Sequence, residues 1–88
     1  MSVIHKQKLD IGTNVLEMPE GAQILTAQFQ GENLCLWYRC DSDKPLNPRL
    51  IYVCGTGHKL MHQSENFLHY IATAQQPPFV WHVFEVIP

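Results

Sequence analysis

Phe79-Val80-Trp81-His82-Val83-Phe84-Glu85-Val86-Ile87 is the stretch that decides the fold. It is aromatic and β-branched almost throughout, contains no glycine, and is flanked by proline on both sides. Such residues suit a pleated, half-buried surface. Trp81 and Val83 fall on one face of an extended chain and His82 and Phe84 on the other, so both faces carry large rings. A strand of this kind is either central to a sandwich or covered on one side by another subunit.

The same rhythm extends toward the N-terminus. Turn-forming residues fall at Ile11–Asn14, Pro19–Gly21, Gln30–Asn33, Asp41–Pro48, Gly55–Gly57 and Gln75–Pro78. The segments between them have strand length. Leu34, Leu36 and Tyr38 alternate with Cys35, Trp37 and Arg39, which gives one buried face and one broad, partly polar face. Gly31-Glu32 makes a plausible hairpin loop between Ile24–Gln30 and Asn33–Asp41. Pro48–Cys54 reads as a strand with its proline at the first position. Ser2–Leu9 reads as an edge strand guarded by Lys6 and Lys8. Ser64–Ala74 is open to two readings: Phe67, Leu68 and Ile71 fall at helical spacing, but Tyr70–Thr73 can pair with Phe79 onward across the Gln75–Pro78 turn. The β-rich surroundings favour the strand. The expectation is a single all-β domain over residues 1–88, or a β-rich α+β one. It holds six or seven short antiparallel strands in a small sandwich or barrel, with room for one helical turn near Ser64.

Eighty-eight residues leave room for one core and no second. Charged residues make up 16% of the chain, below the usual level of about 25%. A small core, few charges and rings on both faces of the last strand together imply a homo-oligomer. The net charge is −2, and the basic residues Lys6, Lys8, Arg39, Lys44, Arg49 and Lys59 are scattered along the chain. That argues against nucleic acid as a partner. No apolar run approaches membrane-spanning length, and Met1–Lys6 lacks an apolar leader. Three cysteines without such a leader fit free thiols in a reducing cytoplasm.

Several groups of residues bear on chemistry. Cys54, His58 and His62 recur every four residues, a spacing that could hold zinc on a helix. Gly55 and Gly57 interrupt that run, and no second ligand pair exists. The expectation is therefore no metal, a buried Cys54 and two loop histidines. Gly55-Thr56-Gly57-His58-Lys59 follows an apolar strand, and its glycines could turn backbone N–H groups toward an anion while Thr56, His58 and Lys59 add donors. The simpler reading of these residues is a tight turn. They lack the third glycine of a dinucleotide fingerprint and the ending of a P-loop. Trp37 and Trp81 are each expected in the core, the alternative being a stacking platform, with His82 beside Trp81. Catalysis would need a thiol beside a histidine and an orienting group, with Cys54 and His58 or Cys35 and His82 as the available pairs. Asp41 and Asp43 read as turn formers. No catalytic residue and no cofactor is expected. The candidate ligand-binding residues are Thr56, Gly57, His58, Lys59, Trp81 and His82.

Pro19-Glu20-Gly21-Ala22, Leu34-Cys35-Leu36-Trp37, Gly55-Thr56-Gly57-His58 and Trp81-His82-Val83-Phe84-Glu85-Val86 together resemble the landmarks of a group of short proteins encoded by tailed phages and prophages. The resemblance covers nearly the whole chain and implies a setting: an accessory viral protein made in a bacterial host cytoplasm. It transfers no catalytic residue. In that setting the expected activity is inhibition of a host defence system, by masking a host protein or sequestering a small nucleotide-like anion. A virion structural or assembly component is the alternative of a different class, and a small thiol- or metal-dependent hydrolase is a third.

Overall fold

The computed structural model describes residues 1–60 and 67–88 and is all-β. Seven strands follow in chain order: β1 (Ser2–Lys8), β2 (Gly12–Pro19), β3 (Gln23–Gln30), β4 (Asn33–Asp41), β5 (Leu46–Gly55), β6 (Leu68–Gln76) and β7 (Phe79–Val86). They form two antiparallel sheets, one ordered β1-β4-β3 and the other β2-β5-β7-β6. This is the expected small sandwich. The helical turn expected near Ser64 lies outside the described residues. Ser64–Ala74 resolves in favour of the strand from Leu68 onward, which pairs with β7 from Gln76↔Phe79 to Leu68↔Val86. Among the described residues no helix is long and apolar enough to cross a membrane.

Alternation explains the core. Leu34, Leu36, Tyr38 and Cys40 point inward from β4, opposite Leu16 and Met18 of β2, Ile51 and Val53 of β5, and Val83 of β7. Leu36, Ile51 and Val83 are wholly shielded from solvent, each contributing roughly 1.5–3 kcal/mol. Trp81 packs against this cluster, as expected. Trp37 does not belong to it. Its partners Lys6 and Thr26 show that it stands half-buried on the outer face of the three-stranded sheet.

Pro48 corrects the expected start of its strand, because β5 begins two residues earlier at Leu46. Pro48 pairs with Glu17 of β2, while pairing with β7 starts only at Leu50. The proline therefore sits where β5 has a neighbour on one side only, and its missing N–H is tolerated. The Gly31-Glu32 hairpin forms as expected, with Gly31 at φ 62°; glycine in the first loop position suits a type II′ turn.

The two open sides of the sandwich are closed differently. Beside β1 and β2, the Gln7 side-chain amide donates to the backbone carbonyl of Glu17 and to the Tyr38 hydroxyl, both at 2.9 Å. This ties one sheet to the other. At the opposite side β3 packs against β6, and each strand carries a bulge, at Leu25 and at Ile71. An extra residue in each strand bends it locally and resets its alternation, so Ile24 and Ala27 both reach the core.

Between the bulges lies a depression of about 370 Å³ with an ion pair at its edge. Arg49 donates through Nε and Nη2 to the two oxygens of Glu85, the second bond at 2.9 Å. Its Nη1 donates to the carbonyl of Ala22 at 2.8 Å, so the guanidinium ties the four-stranded sheet to the chain entering β3. The Glu85 bond holds the Arg49 proton more firmly than usual, shifting its pKa upward. Breaking a fully buried pair costs roughly 3–5 kcal/mol. Here Arg49 keeps 25% of its side chain exposed, so Glu85→Leu is expected to destabilise the fold by about 2 kcal/mol. Chemical denaturation should show Arg49→Met/Glu85→Leu recovering most of that loss. A double variant no better than the single one would contradict this account.

Candidate functional site

The site grows from the end of β5 where it meets β7. Cys54 pairs with His82 and Gly55 with Trp81. The ladder takes one more step, as the Thr56 N–H donates to the Val80 carbonyl at 3.1 Å. The chain then turns: the His58 N–H donates to the Gly55 carbonyl at 3.1 Å, with Gly57 at φ 86°. Positive φ at the third of four turn residues is the requirement of a type II turn, and it favours glycine. The N–H groups of Thr56 and His58 are thus committed, the first to β7 and the second within the turn. The donors that remain for an anion are chiefly side chains, not the row of backbone N–H groups the glycines suggested.

The turn brings the six expected residues to one end of the four-stranded sheet, where Thr56, His82, His58 and Trp81 fall into two clusters. On the outer face Thr56 Oγ1 lies 2.6 Å from His82 Nε2, and His82 Nδ1 lies 3.2 Å from Thr73 Oγ1. Thr73 Oγ1 in turn lies 2.8 Å from the Tyr70 hydroxyl. The result is a hydrogen-bonded chain, Tyr70–Thr73–His82–Thr56, crossing from β6 over β7 to the turn. A neutral imidazole has one donor and one acceptor nitrogen, so this chain has a direction whichever way it runs.

The second cluster is made of rings. His58 meets Trp81 edge-on with centroids 6.2 Å apart, and Phe79 lies 6.0 Å from Trp81 on a tilt of 32°. Gly55 lies against two of these rings: a Cβ there would sit 2.9 Å from His58 Cε1 and 3.2 Å from Trp81 Cζ3. Only glycine lets the backbone approach so closely. The rings, Thr56 and Pro78 line an open depression of about 250 Å³, and Phe79 is 58% exposed at its rim. A second depression, of about 340 Å³, lies on the other side of the turn, lined by Ile11, Tyr52, Cys54, His58 and Lys59. His58 therefore borders both.

Cys54 sits beside His82 across the strand pair, a neighbour the sequence spacing did not suggest. Both nitrogens of His82 are engaged by threonines, and burial pushes the Cys54 thiol pKa up. Cys35 and His82 lie on the outer faces of different sheets and do not meet. Cys54 and His58 share a depression; His62, the third member of the zinc spacing, lies outside the described residues. Tyr70, Thr73 and Phe79 are the site residues that sequence reasoning missed. Counting outward from Pro77-Pro78 places Thr73 opposite His82, so the hairpin register was the signal.

The family model for a domain of unknown function, DUF7352, matches residues 1–88. The chain belongs to the DUF7352 family. No curated protein and no solved structure matches it. For this DUF7352 chain the burial of Cys35, Cys40 and Cys54 has a direct consequence, since the thiolate is the reactive species and burial disfavours it. Titration of the native protein with an aromatic disulfide reagent at pH 7.5 is expected to show no fast-reacting thiol, and three after denaturation. A rapid native phase assigned to Cys54 would instead indicate a thiol activated by His82.

Proposed function

We propose that this protein is a non-enzymatic accessory binding protein of phage origin, acting in the host cytoplasm against a host defence system. It sequesters a small anionic, nucleotide-like ligand at the end of the four-stranded sheet and works as a homo-oligomer. Masking of a host protein by the same surface is the variant of this reading in which the anion is a side chain. The supporting observation is the meeting of Thr56, His58 and Trp81 on one ring-lined, open depression, with His82 hydrogen-bonded to Thr56 on the outer face of the sheet. The phage setting rests on the resemblance of sequence landmarks.

The chemistry is as follows. With the chain directed Tyr70→Thr73→His82→Thr56, His82 accepts at Nδ1 and donates from Nε2 to Thr56 Oγ1. The Thr56 hydroxyl then donates only a long bond of 3.5 Å to the Val80 carbonyl, which an anionic acceptor in the depression can outcompete. His58 borders that position while Lys59 lies on the other side of the turn, and the exposed Phe79 ring with Trp81 offers an apolar face for a base. Charge-assisted hydrogen bonds of this type are worth roughly 1.5–3 kcal/mol each. Self-association fits the outer face of the four-stranded sheet, where Val15, Leu50 and Tyr70 are exposed in cross-strand rows with Val86 and Phe84.

Calorimetry against a panel of linear and cyclic nucleotides is expected to find a binder, and Thr56→Ala/His58→Ala to weaken it about 10²–10⁴-fold with the fold intact. The same variant should lose its protective effect in phage-infected cells. Unchanged protection or binding in a well-folded variant would place the functional surface elsewhere. Light scattering should give a mass above the 10.1 kDa of one chain; a monomer at high micromolar concentration would remove the oligomer from the proposal.

A further inference from the structure

The outer face of the three-stranded sheet carries a feature that the linear sequence conceals. Strand register puts Lys6 beside Trp37 and Lys8 beside Cys35, while Arg39 lies two residues along β4 from the tryptophan. All three cations are exposed, and Trp37 is half-buried between them. Three of the six basic residues, scattered in the chain, thus share one face of a protein whose net charge is −2.

These cations are held in place without being neutralised. Lys6 Nζ donates to Gln30 Oε1, and Arg39 Nη2 donates to Gln23 Oε1. The first bond reaches over β4 from β1 to a neutral amide on β3, and the second joins Arg39 of β4 to its direct register partner Gln23 on β3. One cross-strand clamp therefore lies on either side of Trp37. Among the described residues no carboxylate lies within ion-pairing distance of Lys6, Lys8 or Arg39. Asp41 is the one acidic residue at an outward position of these strands, and it sits at the Ser2 end, away from Lys8. Successive outward residues on a strand are about 6.6 Å apart, so Lys6 and Lys8 make a short row of positive charge along one side of the ring.

We infer that this face is a binding site for single-stranded nucleic acid, separate from the Thr56–His82 end of the other sheet. A base stacks on Trp37, and the phosphates on either side of it meet Lys6, Lys8 and Arg39. An aromatic platform flanked by cations is the general means of holding a single strand without reading its sequence. An acidic peptide would satisfy the charges but has no use for an indole at the centre of the face. The inference reverses the expectation drawn from the scatter of basic residues, because folding brings together what the chain keeps apart.

The probe is a labelled oligo-dT of about ten nucleotides, within the site size of small single-strand binders, followed by anisotropy as salt is varied. Three phosphate contacts predict a slope of log K against log salt of about −2, and Lys6→Gln, Lys8→Gln and Arg39→Gln should each reduce it by about 0.7. Trp37→Leu should weaken binding about tenfold or more with the slope unchanged, and should abolish quenching of the protein's fluorescence. Thr56→Ala/His58→Ala should bind the oligonucleotide as the wild type does, which separates this site from the other. No binding at low salt in folded protein would overturn the inference. So would variants that bind like the wild type, or poly-glutamate or duplex DNA competing equally well at equal charge.

Discussion

β7 is hydrogen-bonded on both edges, to β5 and to β6, and that double pairing constrains everything else in the molecule. Its inward residues, Trp81, Val83 and Glu85, supply a ring that borders the open depression beside Thr56, a core side chain and one half of the ion pair. The outward His82 accepts its place between Thr56 on one side and Thr73 on the other. A slip of one residue in either pairing would send His82 into the core and Val83 to solvent. The register is strongly specified because both faces of this strand have work to do. Glu85 reinforces it, since only the observed register brings its carboxylate to the guanidinium of Arg49.

How much of this could be read from the chain depended on distance along it. The character of β7, the Leu34–Tyr38 alternation and both hairpins at Gly31-Glu32 and Pro77-Pro78 are local features, and local patterns carried them. The Thr56–His82 contact is different, because it links residues on strands whose connection is long. β5 and β6 run parallel with β7 between them, so their connection leaves near Trp81 and returns near Val86. No spacing rule gives that register. Arg49 and Glu85 were invisible for the same reason. The bulges at Leu25 and Ile71 shift alternation by one residue, which blurred the faces of β3 and β6. Residue type alone could not separate the two tryptophans either: Trp81 packs on the core and Trp37 does not, and the difference lies in which face of its strand each occupies.

Glycine marks where the candidate site and the fold are most tightly joined. Gly57 serves the turn alone, by adopting positive φ. Gly55 serves the site as well, since a side chain there would push against both His58 and Trp81. The same position pairs with Trp81 in the ladder. Ring packing and strand pairing therefore meet at one residue, and His58 is positioned by backbone proximity more than by any hydrogen bond of its ring. Thr56 is held differently, by an N–H in the ladder and a hydroxyl in the polar chain. Removing the hydroxyl leaves the ladder bond untouched, which is why a change at Thr56 can report on binding without reporting on folding.

A sandwich this small spends its inner faces on stability, because few residues are available to fill the core. Recognition is then confined to outer faces and strand ends, and here those surfaces differ in kind. The outer face of the four-stranded sheet is largely neutral, with Val15, Leu50, Phe84 and Val86 along its rows. The outer face of the three-stranded sheet gathers Lys6, Lys8 and Arg39 around Trp37. An apolar face suits contact with a second copy, whereas an uncompensated cationic face resists it through like-charge repulsion. Pairing through the neutral sheets would leave the cationic faces pointing away from each other. Two such faces on one assembly would engage a long polyanion together, and a modest affinity per chain would then suffice through effective concentration.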